Sequence, residues 1–138
     1  MKKPTVSSLK KKADTLHSRY IRLRDSDANG YGECITCGAK KHWKEAQCGH
    51  FVTRANNKLR FDEMNTNLQC VGCNMFKSGE QYLYSKALDE KYGKGTAEEL
   101  HQQRFDTHKL TIAELEEIIS DRTTQIKFYE SDKLIQSQ

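Results

Sequence analysis

Apolar residues fall at Val6, Leu9, Ala13, Leu16, Tyr20 and Leu23, in steps of three and four. Such steps line one stripe of a helix, so the pattern predicts a helix over Val6–Arg24 with Ser7 or Ser8 as its cap. The turn-rich stretch 25–32 (DSDANGYG) ends it. Two short runs, 46–53 and 67–71, read as strands. From Asn74 to Tyr92 the period turns helical again, with Phe76, Leu83, Ala87 and Leu88 apolar and Gly79 weakening the start. Gly93-Lys94-Gly95 breaks that helix. Thr96 with Glu99, and Thr111 with Glu114, have capping-box spacing and open two further helices. The last carries Ile112, Leu115, Ile119, Ile126 and Tyr129 in register, interrupted by Arg122, and Gln136 to Gln138 are expected to fray. No internal repeat or low-complexity linker is visible.

Composition adds a constraint. The chain has 138 residues, enough for one small domain with helical extensions, and only 36% are hydrophobic against 30% charged. A core that thin gains from a structural metal. No apolar run is long enough to cross a membrane and no signal-peptide pattern is present. Five cysteines is an odd count, which fits a reducing cytoplasm better than a secreted disulfide framework. The net charge of +4 is uneven: residues 1–24 hold eight Lys/Arg against Asp14 alone, residues 97–138 come to −4, and the middle is near neutral. A basic end points to a polyanion such as nucleic acid, and equally to a solvated helix face.

The chemistry sits between the helices. Cys34/Cys37 and Cys70/Cys73 are two Cys-x-x-Cys knuckles, the donor set of one tetrahedral structural zinc. The alternative is four reduced core thiols. Cys48 is left over and reads as a buried thiol. His50 lies inside the loop between the knuckles, and a neutral imidazole is the usual group to take a proton from water near pH 7. His17, His42, His101 and His108 lack that context and read as surface residues. Asn74 follows the last knuckle directly; its amide oxygen suits a hard cation such as Mg2+ or Mn2+, and its bland role is a helix cap. Lys77, one turn later, is a candidate contact to a DNA phosphate or a solvated lysine. Arg54, Lys58 and Arg60, together with Lys10, Lys11 and Lys12, are candidate contacts to a DNA backbone.

Taken together, Cys34-Ile35-Thr36-Cys37, Gln47-Cys48-Gly49-His50-Phe51, Arg60-Phe61-Asp62-Glu63, Asn65 and Gln69-Cys70 through Cys73-Asn74 resemble the NinG/Rap family of lambdoid phage recombination endonucleases. The resemblance runs from about Cys34 to Tyr92. That family is similar to the HNH, or ββα-metal, nucleases, and its zinc layout to phage endonuclease VII. The resemblance implies a phage-encoded protein in the cytoplasm of a bacterial host that cuts branched double-stranded DNA, Holliday junctions or D-loops. It makes His50 the general base and Asn74 a ligand of a catalytic Mg2+ or Mn2+. Asn65 becomes the asparagine that ties the loop and orients the base, with Asn67 as the competing choice. Many HNH enzymes carry an acidic or histidine metal ligand just before the base. Here that residue is Gly49, so the second ligand is sought in Asp62, ahead of Glu80.

The expected fold is α+β, a zinc-stapled ββα-metal core over residues 33–95. It is flanked by a basic helix and turn over 1–32 and a helical extension over 96–138. A junction is resolved by two opposed nicks, so the oppositely charged terminal stripes are expected to join two chains in preference to packing inside one. The rival readings are an HNH nuclease for linear duplex and a non-catalytic zinc-ribbon DNA-binding module.

Overall fold

The computed structural model describes residues 3–137. Its first helix, α1, spans Val6–Arg24. The cap is Thr5 rather than Ser7 or Ser8, because Ser8 occupies the third helical position and closes a reciprocal capping box with Thr5. The turn after α1 leads into a hairpin that the sequence pattern missed, β1 (Tyr31–Glu33) and β2 (Lys40–His42), paired antiparallel. Three-residue strands with mostly exposed side chains leave no alternation to read. A short 3-10 turn, Trp43–Glu45, precedes β3 (Gln47–His50), which pairs antiparallel with β4 (Thr66–Gln69). Both strands are shorter than the runs 46–53 and 67–71 suggested.

The expected helix over 74–92 is split. A π-type turn spans Gly72–Phe76, and Ser78, Gly79 and Glu80 then all adopt positive φ before α2 begins at Gln81–Tyr92. Gly79 therefore ends one helical segment instead of merely weakening a longer one. Gly95, not Thr96, caps α3 (Thr96–Gln102), so the first predicted capping box does not form; Thr96 Oγ1 donates to Gly93 O instead. The second does form: Glu114 N–H donates to Thr111 Oγ1 at 3.1 Å and Thr111 N–H to the Glu114 carboxylate at 3.2 Å. It opens α4 (Ile112–Ser137). Gln138, the last of the three residues expected to fray, lies outside the described residues, as does Lys2 of the basic arm.

α1 and α4 pack against each other within the chain. Ala13 meets Leu115, Phe61 and Leu110, and Tyr20, Ile21 and Leu23 meet Ile126 with Leu16 and Tyr129 at the edge. The stripes expected to join two chains are thus already used inside one, which removes that route to a dimer. Arg122 explains its own interruption of the stripe. Buried between the helices, it donates to His17 Nδ1 at 2.9 Å and to Phe61 O at 3.2 Å. On the other side of the β3–β4 pair, Tyr84 and Leu88 of α2 pack with Phe51, Val52, Leu59 and Leu100.

Candidate functional site

The four knuckle cysteines converge. The sulfurs of Cys34, Cys37, Cys70 and Cys73 all lie within 4.8 Å of one another, and Cys37 Sγ stands 3.8 Å from Cys70 Sγ. Zinc–sulfur arms of 2.3 Å at tetrahedral angles put sulfurs about 3.8 Å apart, far beyond a disulfide. Cys73 N–H also points at Cys70 Sγ, 3.4 Å away. The donor set fits one structural zinc. Cys34 follows β1 directly, and Cys70 and Cys73 lie just beyond β4, so the metal would staple the hairpin to the end of the second sheet.

His50 and Asn74 line one cavity of about 890 Å³, together with Asp14, His17, Ser18 and Arg22 of α1 and Arg54 of the loop after β3. His50 Nε2 lies 3.0 Å from the Arg60 carbonyl oxygen. A carbonyl only accepts, so Nε2 carries the proton and Nδ1 keeps the lone pair. Burial lowers the His50 pKa below the usual imidazole value, against the opposing pull of the Arg60 carbonyl and Asp14. The ring is therefore neutral at pH 7 with a basic nitrogen available. Asn74 Nδ2 donates to Gln47 Oε1 at 2.7 Å, which leaves its Oδ1 as the atom to offer a cation.

Asn65 is fully buried and closes the loop that follows β3. Its Oδ1 accepts from Val52 N–H at 2.8 Å, and its Nδ2 donates to Val52 O at 3.0 Å and Leu59 O at 3.1 Å. Asn67 does different work. Its Oδ1 accepts from Lys91, Tyr92 and Arg24, and its Nδ2 donates to Tyr84 OH, so it joins β4 to α1 and α2. Gly49 has no room for a side chain: a Cβ there would run into the Gln69 side chain. Tyr84 OH donates to the Gly49 carbonyl at 2.7 Å. A carboxylate at that position is excluded by packing, not merely missing.

Several candidates are placed elsewhere than expected. Asp62 lines a different cavity, beside Lys58, His108 and Arg122, and its Oδ1 accepts the Met64 and Asn65 N–H groups at 2.9 Å each. It does not share the cavity of His50 and Asn74, and Glu80 is not among that cavity's lining residues either. Arg60 is held by Asp14 and Lys58 pairs with Asp106 at 2.7 Å, so neither cation is free as expected. Arg54, Lys77, Lys11 and Lys12 are exposed, and Lys10, half-buried, lies one turn before Asp14 on α1. Lys77 closes the π-type turn and does not line the cavity.

His17 is not a surface residue. It is 2% exposed, and its Nδ1 accepts from Arg122 Nε while Nε2 meets Thr66 Oγ1 at 2.9 Å. Thr66 Oγ1 spends its own proton on Asp62 O, so His17 Nε2 is the donor. Burial, then the Arg122 charge, lower its pKa to about 2. Cys48, expected to be buried, is half-buried at the edge of the core and lines the same cavity, and desolvation pushes its thiol up to about 12. The residue that sequence reasoning missed is Asp14, the one carboxylate among the described residues lining this cavity. Its signal was in plain view: it is the sole acid in residues 1–24.

Residues 2–132 match the family described as Bacteriophage Lambda NinG protein, and the chain belongs to that family. Protein ninG of Escherichia phage lambda is 32% identical over 120 residues, covering 85% of this chain and 55% of the relative. Protein ninG of Salmonella phage P22 is 33% identical over 120 residues with the same coverage. That of Escherichia phage 933W is 32% identical, covering 85% of this chain and 56% of the relative. The chain spans about half the length of the curated relatives it matches. No solved structure matches it. Among the described residues no helix is long and apolar enough to cross a membrane.

Proposed function

We propose that this chain is a metal-dependent DNA endonuclease of the ββα-metal type, acting on branched double-stranded DNA. The observation that carries the reading is one cavity lined by both a neutral His50, with Nε2 tied to the Arg60 carbonyl, and Asn74 at the zinc knuckle. Arg22 and Arg54 line the same cavity and supply positive charge for a phosphate. His50 Nδ1 takes a proton from water, and the hydroxide attacks phosphorus opposite the leaving 3′ oxygen. Asn65 keeps the loop, and so the Arg60 carbonyl, in place under the imidazole. Asn74 Oδ1 is the atom that would hold Mg2+ or Mn2+, and such an ion would supply positive charge to the phosphate and leaving oxygen. Four cysteine ligands leave the zinc closed to substrate, so its work is structural.

Branched DNA, in preference to linear duplex, is what the resemblance described above implies. A non-catalytic zinc DNA-binding module is the second reading, favoured by the filled space at Gly49 and by the engagement of Asp14 with Arg60. One assay separates these readings. Purified protein is offered a four-way junction, linear duplex and single strand, with and without Mg2+ or Mn2+. Junction cleavage that needs the metal and falls at least about 10²-fold in His50→Ala is expected for a lost general base. Tight binding without cleavage under any metal condition would leave the binding module.

A further inference from the structure

We propose that Asp14 is a positioning residue for His50, acting through Arg60; the inference rests on the reading of His50 as the base. Asp14 lies half-buried on α1 and faces the same cavity as His50. Arg60 grips it with two arms of its guanidinium, Nε donating to Oδ1 at 2.7 Å and Nη2 to Oδ2. The third arm, Nη1, donates to Arg54 O at 2.9 Å. The same residue's carbonyl accepts the His50 Nε2 proton. Arg60 is thus fixed by its side chain at one end and orients the imidazole with its main chain at the other. A fork held by a carboxylate is geometrically specific in a way that a point charge is not. Without Asp14, the guanidinium loses its anchor on α1, and the carbonyl is free to leave the ring.

The link also carries charge. The charged and titratable groups around His50 are Asp14, His17 and Arg22 from α1, Cys48 from β3, and Arg54 and Arg60 from the loop. Asp14 favours the imidazolium, and Arg54 and Arg60 oppose it. Removing the carboxylate leaves two guanidiniums unbalanced, so His50 should titrate at lower pH and lose its single tautomer. The inference assigns α1, which carries the basic arm, a part in setting the base as well as in binding.

Side-chain nitrogen NMR on the zinc-loaded protein reads both quantities without reference to cleavage. In Asp14→Asn the His50 titration should move down by about half a unit or more. The Nε2-protonated tautomer should give way to a mixture. Asp14→Glu should restore both. Arg60→Lys keeps the charge but loses the fork, so it should disturb the tautomer more than the titration; it also serves if Asp14→Asn does not fold. The pH profile of junction cleavage should follow, its acid limb moving down with the titration while the plateau falls about tenfold. A His50 titration and tautomer that stay unchanged in folded Asp14→Asn overturn the proposal. If the wild type cuts no DNA but the NMR changes occur, the nuclease reading fails and the Asp14–Arg60–His50 link stands.

Discussion

Asn65→Ala is the sharpest test of how the loop after β3 is held. Asn65 has no exposed surface and makes three hydrogen bonds to main chain: one from Val52 N–H, one to Val52 O and one to Leu59 O. Truncation leaves one donor and two acceptors without that partner. An orphaned buried polar group costs about 1–3 kcal/mol, and a carbonyl tolerates the loss better than an N–H because it has a second lone pair. Val52 and Leu59 are both buried, so water reaches neither group without opening the loop. The sum comes to about 3 kcal/mol. With a urea slope of about 1.5 kcal/mol per molar, the unfolding midpoint of zinc-loaded protein should fall by about 2 M. Asn65→Asp gives a second handle. It keeps an oxygen for Val52 N–H but turns a carboxylate toward two carbonyls, so it should be no more stable than Asn65→Ala at pH 7. Hydrogen exchange at the Val52 amide should speed up in the alanine variant along with the loss of stability. An Asn65→Ala variant within about 0.5 kcal/mol of wild type, with Val52 still protected, would refute this account of the loop.

Zinc analysis should return close to one ion per chain, and Cys34→Ser or Cys73→Ser should lose cooperative folding; a well-folded protein without zinc would contradict the staple. His17 has a folded pKa of about 2 against about 6.5 when unfolded, so the unfolded state binds the extra proton between those values. Stability should therefore fall as pH drops below about 6.5, with a share from His17 approaching about 1.4 kcal/mol per pH unit. His17→Gln should make the slope between pH 5 and 6.5 visibly shallower, and an equally steep slope would place the proton elsewhere. Replacing Lys10, Lys11 and Lys12 with glutamine should weaken junction and duplex binding alike. It should also flatten the log affinity–log salt slope by up to about three units, and an unchanged slope would remove α1 from the DNA interface.

Local pattern was enough for the long elements. The three-and-four spacing of α1, the Thr111–Glu114 box that opens α4 and the break at Gly93 were all legible because each depends on residues within one or two turns of each other. The cluster of four cysteines was legible because knuckle spacing fixes two donors at each corner. The fine structure around Asn74 was not. Three successive positive φ values at Ser78, Gly79 and Glu80 split a helix that the apolar period alone would have continued.

Legible in the chain alone was the inventory: the helices, the two cysteine knuckles, His50, Asn65 and Asn74, and the family resemblance they carry. Tertiary structure decided which of these meet. His17 reads as an ordinary helical histidine until Arg122, 105 residues later, fills the space beside it and supplies the proton its Nδ1 accepts. Asp14 reads as a stray acid in a basic helix until Arg60 closes on it. Gly49 reads as a missing ligand until Gln69 is seen to occupy the room a side chain would need. The two apolar stripes read as a contact between chains until α1 and α4 are found covering each other. Periodicity and motif spacing report contacts along the chain. Burial, ion pairing and the choice of partner depend on groups far apart in sequence that only the packed structure brings within a few ångströms.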